Sequence, residues 1–503
     1  MSPITVNASD ARRIARRCSQ IATAIIALAI NASPGMASLP DHAAAARSSG
    51  SNGHDGSSVM PDLSSRRTVM PSGMRELVAA ARGRVPSFSR QTGLPCSACH
   101  YQFPQLTPFG RLFKLNGYSM MGLKPIVEPN AKNGAPLSLL PIPPLSMMLM
   151  ASETHLTARR PGAQNDAIEF PQQLSLFLGG ALTPHIGTLI QATYSGGSGT
   201  FGIDNSDIRY VTRAQVAAHD AVFGITLHNN PTVQDPWNTT PAWGYPFISS
   251  DITPGSIAGA VVDGSLGQQV VGLGAYALWD NLLYLEATGY RTALQPGAAP
   301  PDSTAANAIH GVTPYWRVAL EHQFGSTYGM IGMYGLLAHL YPAGIAGPTN
   351  SFTDVSFDAQ LEHPFGQGGV VIARTTWINE QQALAASFAS GGAAGLDRTL
   401  NTARLNASLE PNARYGLTLG VFSTTGTRDS ILYAPSALTG SRNGRPTTDG
   451  VTEELDFNAW QNTRLGIQAV QFTQYNGAAA NYDGSGRPAS GNNTLYVFVW
   501  VAF

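Results

Sequence analysis

The chain has 503 residues, and its 30 lysines and arginines nearly balance its 31 aspartates and glutamates, giving a formal net charge of −1. Charged residues make up only 12%, about half of the ~25% usual in soluble domains, and 53 glycines and 34 prolines favour a β-rich chain with many turns. The near-neutral balance excludes nucleic acid as a partner, and the lack of a run of ~18 apolar residues beyond the N-terminus excludes a polytopic helical membrane protein.

The first segment has the features of an export signal. Four arginines precede a short apolar stretch from Ile21 to Ile30, and small residues follow it around Gly35. This order predicts a cleaved signal peptide over residues 1–37, because so short a stretch cannot span a bilayer as an anchor. Residues 38–72 are rich in Ala, Ser and Gly, which predicts a disordered linker.

Three cysteines occur, and Cys96 and Cys99 are the pair that remains after the predicted signal peptide is removed. With His100 they form the pattern C-x-x-C-H, in which two thiols can join the vinyl groups of a haem and the next imidazole can bind its iron. A redox dithiol would usually sit in a βαβ pattern, which the sequence does not show, and a zinc site would need further ligands. The motif therefore predicts one covalent haem c with His100 as the proximal iron ligand.

The segment from Phe88 to Tyr118 reads FSRQTGLPCSACHYQFPQLTPFGRLFKLNGY, in which the haem motif is followed by Phe-Gly-Arg-x-Phe-Lys and Gly-Tyr. It resembles the fused cytochrome–porins of bacterial outer membranes, some of which oxidise ferrous iron at the cell surface. The segment from Asn229 to Gly244 is also similar to this wider group. The resemblance implies a small helical c-type haem domain followed by a single barrel, without fixing iron as the electron donor.

The predicted haem domain covers residues 73–135 and is too small to build a large core. Met120 or Met121 is the first candidate for the distal iron ligand, and methionine ligation raises the reduction potential relative to two histidines. Packing against the haem edge is the alternative role of these methionines. Arg111 and Lys114 are candidates to pair with the haem propionates, or else to face solvent. Further candidates for the distal ligand are Met147, Met148, Met150 and His155.

The remainder, residues 145–503, predicts a mostly β fold: a single transmembrane antiparallel β-barrel of about 16 strands. From Asp354 to Glu362 apolar and polar residues alternate, as they do in outer-membrane strands, and the chain ends in a strand with the aromatic residue Phe503. Tight turns alternate with long loops, and no linker divides the segment as separate soluble β domains would require. The predicted strands are 145–156, 168–180, 185–195, 205–212, 219–228, 267–278, 282–292, 313–323, 327–339, 353–362, 367–378, 398–409, 414–424, 451–459, 463–475 and 493–503.

The positions of the tryptophans and of the charged residues along the predicted strands give two further predictions. Trp279, Trp377 and Trp460 fall at predicted strand ends, where an interfacial aromatic girdle would lie. Several charged residues fall on the lumen side, where most are expected to be ordinary solvated lining. These are Glu286, Arg317, Glu321, Asp358, Glu362, Arg404, Glu454 and Asp456.

The resulting functional prediction is an electron-transfer protein of the bacterial outer membrane. Its expected partners are membrane lipid, periplasmic electron carriers and an extracellular donor such as Fe²⁺, which would make it an Fe(II)-oxidising oxidoreductase. The alternative is a diffusion porin with an accessory haem domain. A haem peroxidase ranks last, because no histidine follows closely after His100. The short, proline-rich connection to the first strand predicts that the haem domain sits inside or at the mouth of the barrel.

Overall fold

A computed structural model describes most of the chain beyond the N-terminal region. The predicted signal peptide, the predicted linker and Met121 lie outside the described residues. Among the residues that are described, no helix is long and apolar enough to cross a membrane. The described residues are 85–120, 122, 126–127, 138–139, 144–161, 165–293 and 307–503.

The described chain contains nineteen strands, and sixteen of them close into one antiparallel barrel. The strands are β1 Ile126–Val127, β2 Ser138–Leu139, β3 Leu145–Leu156, β4 Ile168–Ala181, β5 Ile186–Ser195, β6 Thr200–Val216, β7 His219–His228, β8 Val270–Trp279, β9 Leu283–Thr292, β10 Ala308–Ile309, β11 Thr313–Phe324, β12 Thr327–Tyr341, β13 Asn350–Phe365, β14 Gly369–Ala383, β15 Asp397–Asn412, β16 Tyr415–Gly426, β17 Thr448–Trp460, β18 Thr463–Gln474 and β19 Thr494–Ala502.

The barrel consists of β3 to β9 and β11 to β19, each paired with the next, while β1 and β2 pair with each other and β10 pairs with the end of β12. Pairing of β9 with β11 and of β19 with β3 completes the ring. The predicted count of sixteen is therefore confirmed, and every predicted strand overlaps an observed one.

The barrel wall is apolar outside and polar inside. In β13 the outward side chain of Phe357 is 46% exposed, whereas the neighbouring inward Asp358 is 3% exposed. Large apolar side chains are exposed in the same way along β8, β12 and β18. A soluble domain does not expose so continuous an apolar surface, but a lipid-facing barrel does. Apolar and polar side chains therefore alternate along each strand because one face of the wall contacts lipid and the other faces the filled lumen.

The two ends of the barrel differ in the length of their connections. At one end the strands are joined by tight turns such as Gly325-Ser326, where the positive φ of 60° at Gly325 suits glycine. At the other end the connections are long, and the longest of them, residues 229–269, follows β7. The first and last strands meet at the short-turn end, where Met147 N donates to Phe503 O at 2.7 Å.

The predicted position of one tryptophan is wrong. Trp279 and Trp460 do end β8 and β17, but Trp377 lies in the middle of β14 and stacks on Phe357 of β13 with ring centroids 5.8 Å apart. The strand continues five residues beyond the predicted end at 378, because its polar continuation pairs with β15 and is buried in the lumen.

Short helices precede the barrel and interrupt its loops. Thr107 caps the third of them: its hydroxyl accepts from Gly110 N at 3.1 Å, and Pro108 occupies the first helical position. The α-helices are α1 Ser87–Thr92, α2 Cys96–Cys99, α3 Pro108–Leu115 and α4 Ala385–Ala389, and other helical turns lie at Pro241–Trp243, Val261–Ser265, Pro342–Gly344 and Ala489–Asn492.

Candidate functional site

Residues 85–120, here called the plug, lie within the barrel and contact opposite sides of its wall. Tyr118 Oη donates to Asp207 Oδ2 of β6 at 2.7 Å, and Gln105 Nε2 donates to Ser408 Oγ of β15 at 3.2 Å. The strands β6 and β15 are the fourth and the twelfth of the sixteen in the ring. The plug therefore crosses the lumen from one wall to the other. This agrees with the prediction, made from the short connection to the first strand, that this segment sits inside or at the mouth of the barrel.

The predicted haem motif is held by the packing of α2 against α3. Thr107 N donates to Cys99 O at 2.9 Å, and Thr107 Oγ1 donates to Ala98 O at 2.6 Å. A Cβ atom at Gly110 would lie 2.1 Å from Cys99 O, so the close approach of the two helices requires glycine there. The Phe-Gly-Arg sequence after the motif thus has a structural role in positioning it.

Arg111 anchors the plug to the wall through a buried ion pair. Its guanidinium contacts the carboxylate of Glu362 on β13 and lies 4.1 Å from the ring centroid of Tyr328 on β12. Both charged side chains are almost completely buried. Such a pair is costly to break, because the buried Glu362 carboxylate would lose its ion-pair partner and keep only the hydrogen bonds that Tyr101 and Gln360 donate to it.

Lys114 anchors the plug to a second buried element. Its Nζ donates to the carbonyl oxygens of Val233 and Asp235 at 2.8 and 2.7 Å, and to Asn238 Oδ1 at 2.8 Å. Burial lowers the pKa of Lys114 to about 7, with a further contribution from the nearby Arg209. The amine thus donates hydrogen bonds to three protein acceptors, although Lys114 also lines the cavity described below.

The three acceptors belong to residues 229–266, here called the inward loop, which folds back into the lumen. Trp237 Nε1 donates to Glu321 Oε2 at 2.9 Å, and the Asp235 carboxylate lies 3.4 Å from Arg317 Nη2. Most of the segment from Asn229 to Gly244, noted in the sequence, is buried, as are Ala260 to Val262 further along the loop.

The prediction that most of the lumen charges are ordinary solvated lining is wrong. The plug and the inward loop displace water from them, so that ion pairs and hydrogen bonds replace hydration. Glu321 and Arg404 remain partly accessible. The predicted lumen residues that are buried are Glu286, Arg317, Asp358, Glu362, Glu454 and Asp456.

A cavity of about 530 Å³ separates the plug from the wall and contains the haem motif. Cys96, Cys99 and His100 line it from the plug, and the short-turn residues Arg414 and Gln461 place it at the short-turn end of the barrel. Its volume lies within the range of ~300–1,000 Å³ that is typical of cofactor sites. The apolar lining includes Phe88, Phe103, Phe113, Met148, Phe177 and Trp500.

The side chains of the motif fit a covalently attached haem. Cys96 and Cys99 are both free thiols, and burial, with a smaller effect of Cys96, raises the pKa of Cys99 to about 11. Burial lowers the pKa of His100 to about 4, so the imidazole is neutral and able to bind a metal ion. His100 Nδ1 and Trp500 Nε1 are buried and have no hydrogen-bond partner in the described part of the chain.

A zinc site, which was considered for the two cysteines, would need further ligands beside them. In the part of the chain that is described, no group of three His, Cys, Asp or Glu side chains is arranged to hold a metal ion.

The candidate distal ligands lie in different places. Met147 and Met148 line the cavity, whereas Met120 is half-buried and is not among the lining residues. Met150 lies on the same buried face of β3 as Met148 and belongs to the same apolar cluster as Phe498, but it is not among the residues that line the cavity. His155 is exposed, and its Nδ1 lies 2.5 Å from Asp166 Oδ1.

Trp500 is a cavity residue that sequence reasoning missed. It lies on the inward face of β19 with Tyr496 and Phe498, where most of the barrel carries polar side chains. The aromatic residues on the inward positions of this last strand are the pattern that could have revealed an apolar lumen site. The two cations considered for the haem propionates, Arg111 and Lys114, instead have partners within the protein.

Fold and site together define a closed, lipid-facing barrel of sixteen strands with an internal plug that carries C-x-x-C-H. Neither a known protein family nor a curated protein matches the sequence. Solved structures of similar fold include the outer membrane channel DcaP of Acinetobacter baumannii, at 10% identity over 71% of this chain and 96% of that chain, with a TM-score of 0.43.

Two further structures are similar over the same share of the chain. The anion-selective porin from Comamonas acidovorans is 11% identical over 71% of this chain and 98% of its own, with a TM-score of 0.42. Salmonella typhi OmpF in complex with daunomycin is 8% identical over 71% of this chain and 97% of its own, also with a TM-score of 0.42. These likenesses concern the fold, and the closure of the barrel rests on the strand pairing given above.

Proposed function

We propose that this protein is an outer-membrane c-type cytochrome fused to a porin-like barrel, which carries electrons between an extracellular donor and periplasmic carriers. The proposal depends on one observation above all: Cys96, Cys99 and His100 line an apolar cavity inside a closed, lipid-facing barrel. The resemblance of the segment from Phe88 to Tyr118 to fused cytochrome–porins supports the same conclusion.

In this proposal the thiols of Cys96 and Cys99 would add across the two haem vinyl groups to give thioethers, and His100 would bind the iron. A bound haem supplies one-electron chemistry, because its iron alternates between the ferric and ferrous states. The chain's own residues hold the haem and exclude water. Phe103 contributes to this exclusion, since it stacks on Trp500 with ring centroids 5.4 Å apart and lies 5.3 Å from the His100 ring.

The position of the cavity suggests how electrons leave the protein. Short turns face the periplasm in bacterial outer-membrane barrels, so we assign the cavity to the periplasmic end. A periplasmic carrier would then take one electron from the haem at close range. The donor would lose one electron on the other side of the inward loop, and Fe²⁺, becoming Fe³⁺, is the donor that the family resemblance suggests.

The second candidate function is a diffusion porin with an accessory haem domain. It is favoured by the strand count, because barrels of 16–18 strands can enclose an aqueous channel, and diffusion through such a channel would not use the haem. The plug and the inward loop argue against rapid diffusion, since they bury most of the charged side chains that would line such a channel.

Haem staining of the denatured full-length protein tests the proposal. Protein from cells competent in haem attachment should give a stained band, Cys99→Ala should weaken or abolish it, and Ser97→Ala should leave it unchanged as a matched control within the motif. A wild-type band without haem would overturn the cytochrome proposal and leave the porin alternative.

A further inference from the structure

The wall of the barrel contributes a methionine to the cavity that contains the haem motif. Met148 lies on β3, where burial alternates along the strand, and it faces the lumen with 5% of its surface exposed. The adjacent Met147 also borders the cavity, but the alternation of the strand places its side chain on the opposite face. Met148 is paired across the barrel seam with Ala502 of β19, so its position depends on closure of the ring.

The aromatic residues around Met148 connect it to the haem motif. Met148 belongs to a buried apolar cluster with Trp500 and Ile248, and Phe103 packs against the same cluster. Phe103 in turn lies between Trp500 and the imidazole of His100. The wall methionine and the plug histidine therefore border one continuous apolar site.

Other side chains of the cavity that can bind iron already have partners. Tyr118 donates to Asp207, and Lys114 donates to three acceptors of the inward loop. Tyr101 Oη donates to Glu362 Oε2 at 3.1 Å. Within the described chain, His100 is the one histidine that lines the cavity, so no second histidine is in place to bind the iron. The inward-facing side chain that remains as a candidate ligand is the thioether of Met148.

We propose that Met148 is the distal ligand of the haem iron, so that the plug would hold the iron through His100 and the barrel wall would hold it through Met148. This inference rests on the proposed function, because it requires a haem on Cys96 and Cys99. The haem would then link the plug to the wall, and complete ligation would require a seated plug. Methionine ligation also gives a higher reduction potential than ligation by two histidines.

The test compares ferric-haem spectra of the full-length protein in detergent with those of single variants. Wild type should show the near-infrared charge-transfer band of a methionine–iron(III) bond. Met148→Leu should lose this band and shift towards high spin, whereas Met147→Leu and Met120→Leu should retain it. Met148→His should restore a low-spin haem with a lower midpoint potential, which distinguishes loss of a ligand from misfolding.

The outcomes separate this inference from the proposed function. Haem-bearing wild type without the methionine band, or an unchanged band in Met148→Leu, would overturn the assignment of Met148 and leave the cytochrome proposal standing. Loss of the band in Met120→Leu alone would transfer the role to that residue and overturn the inference. Wild type without covalent haem would overturn both.

Discussion

Replacing Arg111 by alanine should loosen the attachment of the plug to the barrel wall. Arg111 and Glu362 are both buried and form an ion pair, and the ring of Tyr328 lies against the guanidinium. The truncation removes the positive charge but leaves the Glu362 carboxylate buried, with hydrogen bonds from Tyr101 and Gln360. Removing one partner of a buried pair typically costs about 3–5 kcal/mol.

This cost falls on the seated plug, because a displaced plug allows water to reach Glu362. A difference of about 1.4 kcal/mol changes an equilibrium tenfold, so the ratio of displaced to seated plug should rise on the order of a hundred- to a few-thousand-fold. The double variant Arg111→Ala with Glu362→Gln should recover part of this loss, since it neutralises the stranded carboxylate.

The assay is ion conductance in planar bilayers together with sugar entry into liposomes. Arg111→Ala should raise both above wild type through more frequent opening of the lumen. Arg159→Ala is the matched control, because this arginine is 82% exposed and lies 3.8 Å from Asp166, a geometry that contributes little to stability. Equal conductance of wild type and Arg111→Ala would refute the argument that the buried pair holds the plug.

Two further variants test the lipid face and the inward loop. Phe357→Arg places a charge on the outward face near the middle of β13. It should lower the free energy of unfolding in lipid vesicles by ~2–4 kcal/mol, whereas Phe357→Leu should change this free energy little. If Phe357→Arg unfolds at the same denaturant concentration as wild type, Phe357 does not face lipid. Lys114→Met leaves the Val233 and Asp235 carbonyls and the Asn238 amide without their donor, so hydrogen exchange in residues 233–238 should accelerate relative to Lys114→Arg. Unchanged exchange would show that Lys114 does not secure the loop.

The strands were largely predictable because each follows from a local pattern. An alternation with period two identifies a strand between lipid and lumen, and this pattern gave all sixteen. This pattern did not predict the last five residues of β14, because Glu380 and its polar neighbours have the composition of a loop. In the structure Glu380 faces the lumen, and its Oε2 accepts from Val261 N of the inward loop at 2.5 Å. Polar residues can thus extend a strand when a distant segment satisfies them.

The C-x-x-C-H motif can be recognised from the sequence alone, because it is contained in five consecutive residues, and the haem that it indicates stays a prediction. The surroundings of the motif were not predictable, because they come from parts of the chain that meet only in the closed barrel. Lys114 reaches acceptors about 120 positions away, and Met148 is brought beside the site by the pairing of β3 with β19. Sequence proximity therefore favoured Met120, whereas the fold favours Met148.

Electron transfer across a sealed membrane tests the central claim most directly. Liposomes containing the full-length protein and an enclosed soluble ferricytochrome c would receive Fe²⁺ from outside, and reduction of the enclosed acceptor would be followed by its absorbance while sugar entry is measured in parallel. We expect rapid reduction with little sugar entry, and loss of the reduction in His100→Ala with the barrel retained. Rapid sugar entry, together with acceptor reduction that His100→Ala does not change, would contradict the account and favour a diffusion porin.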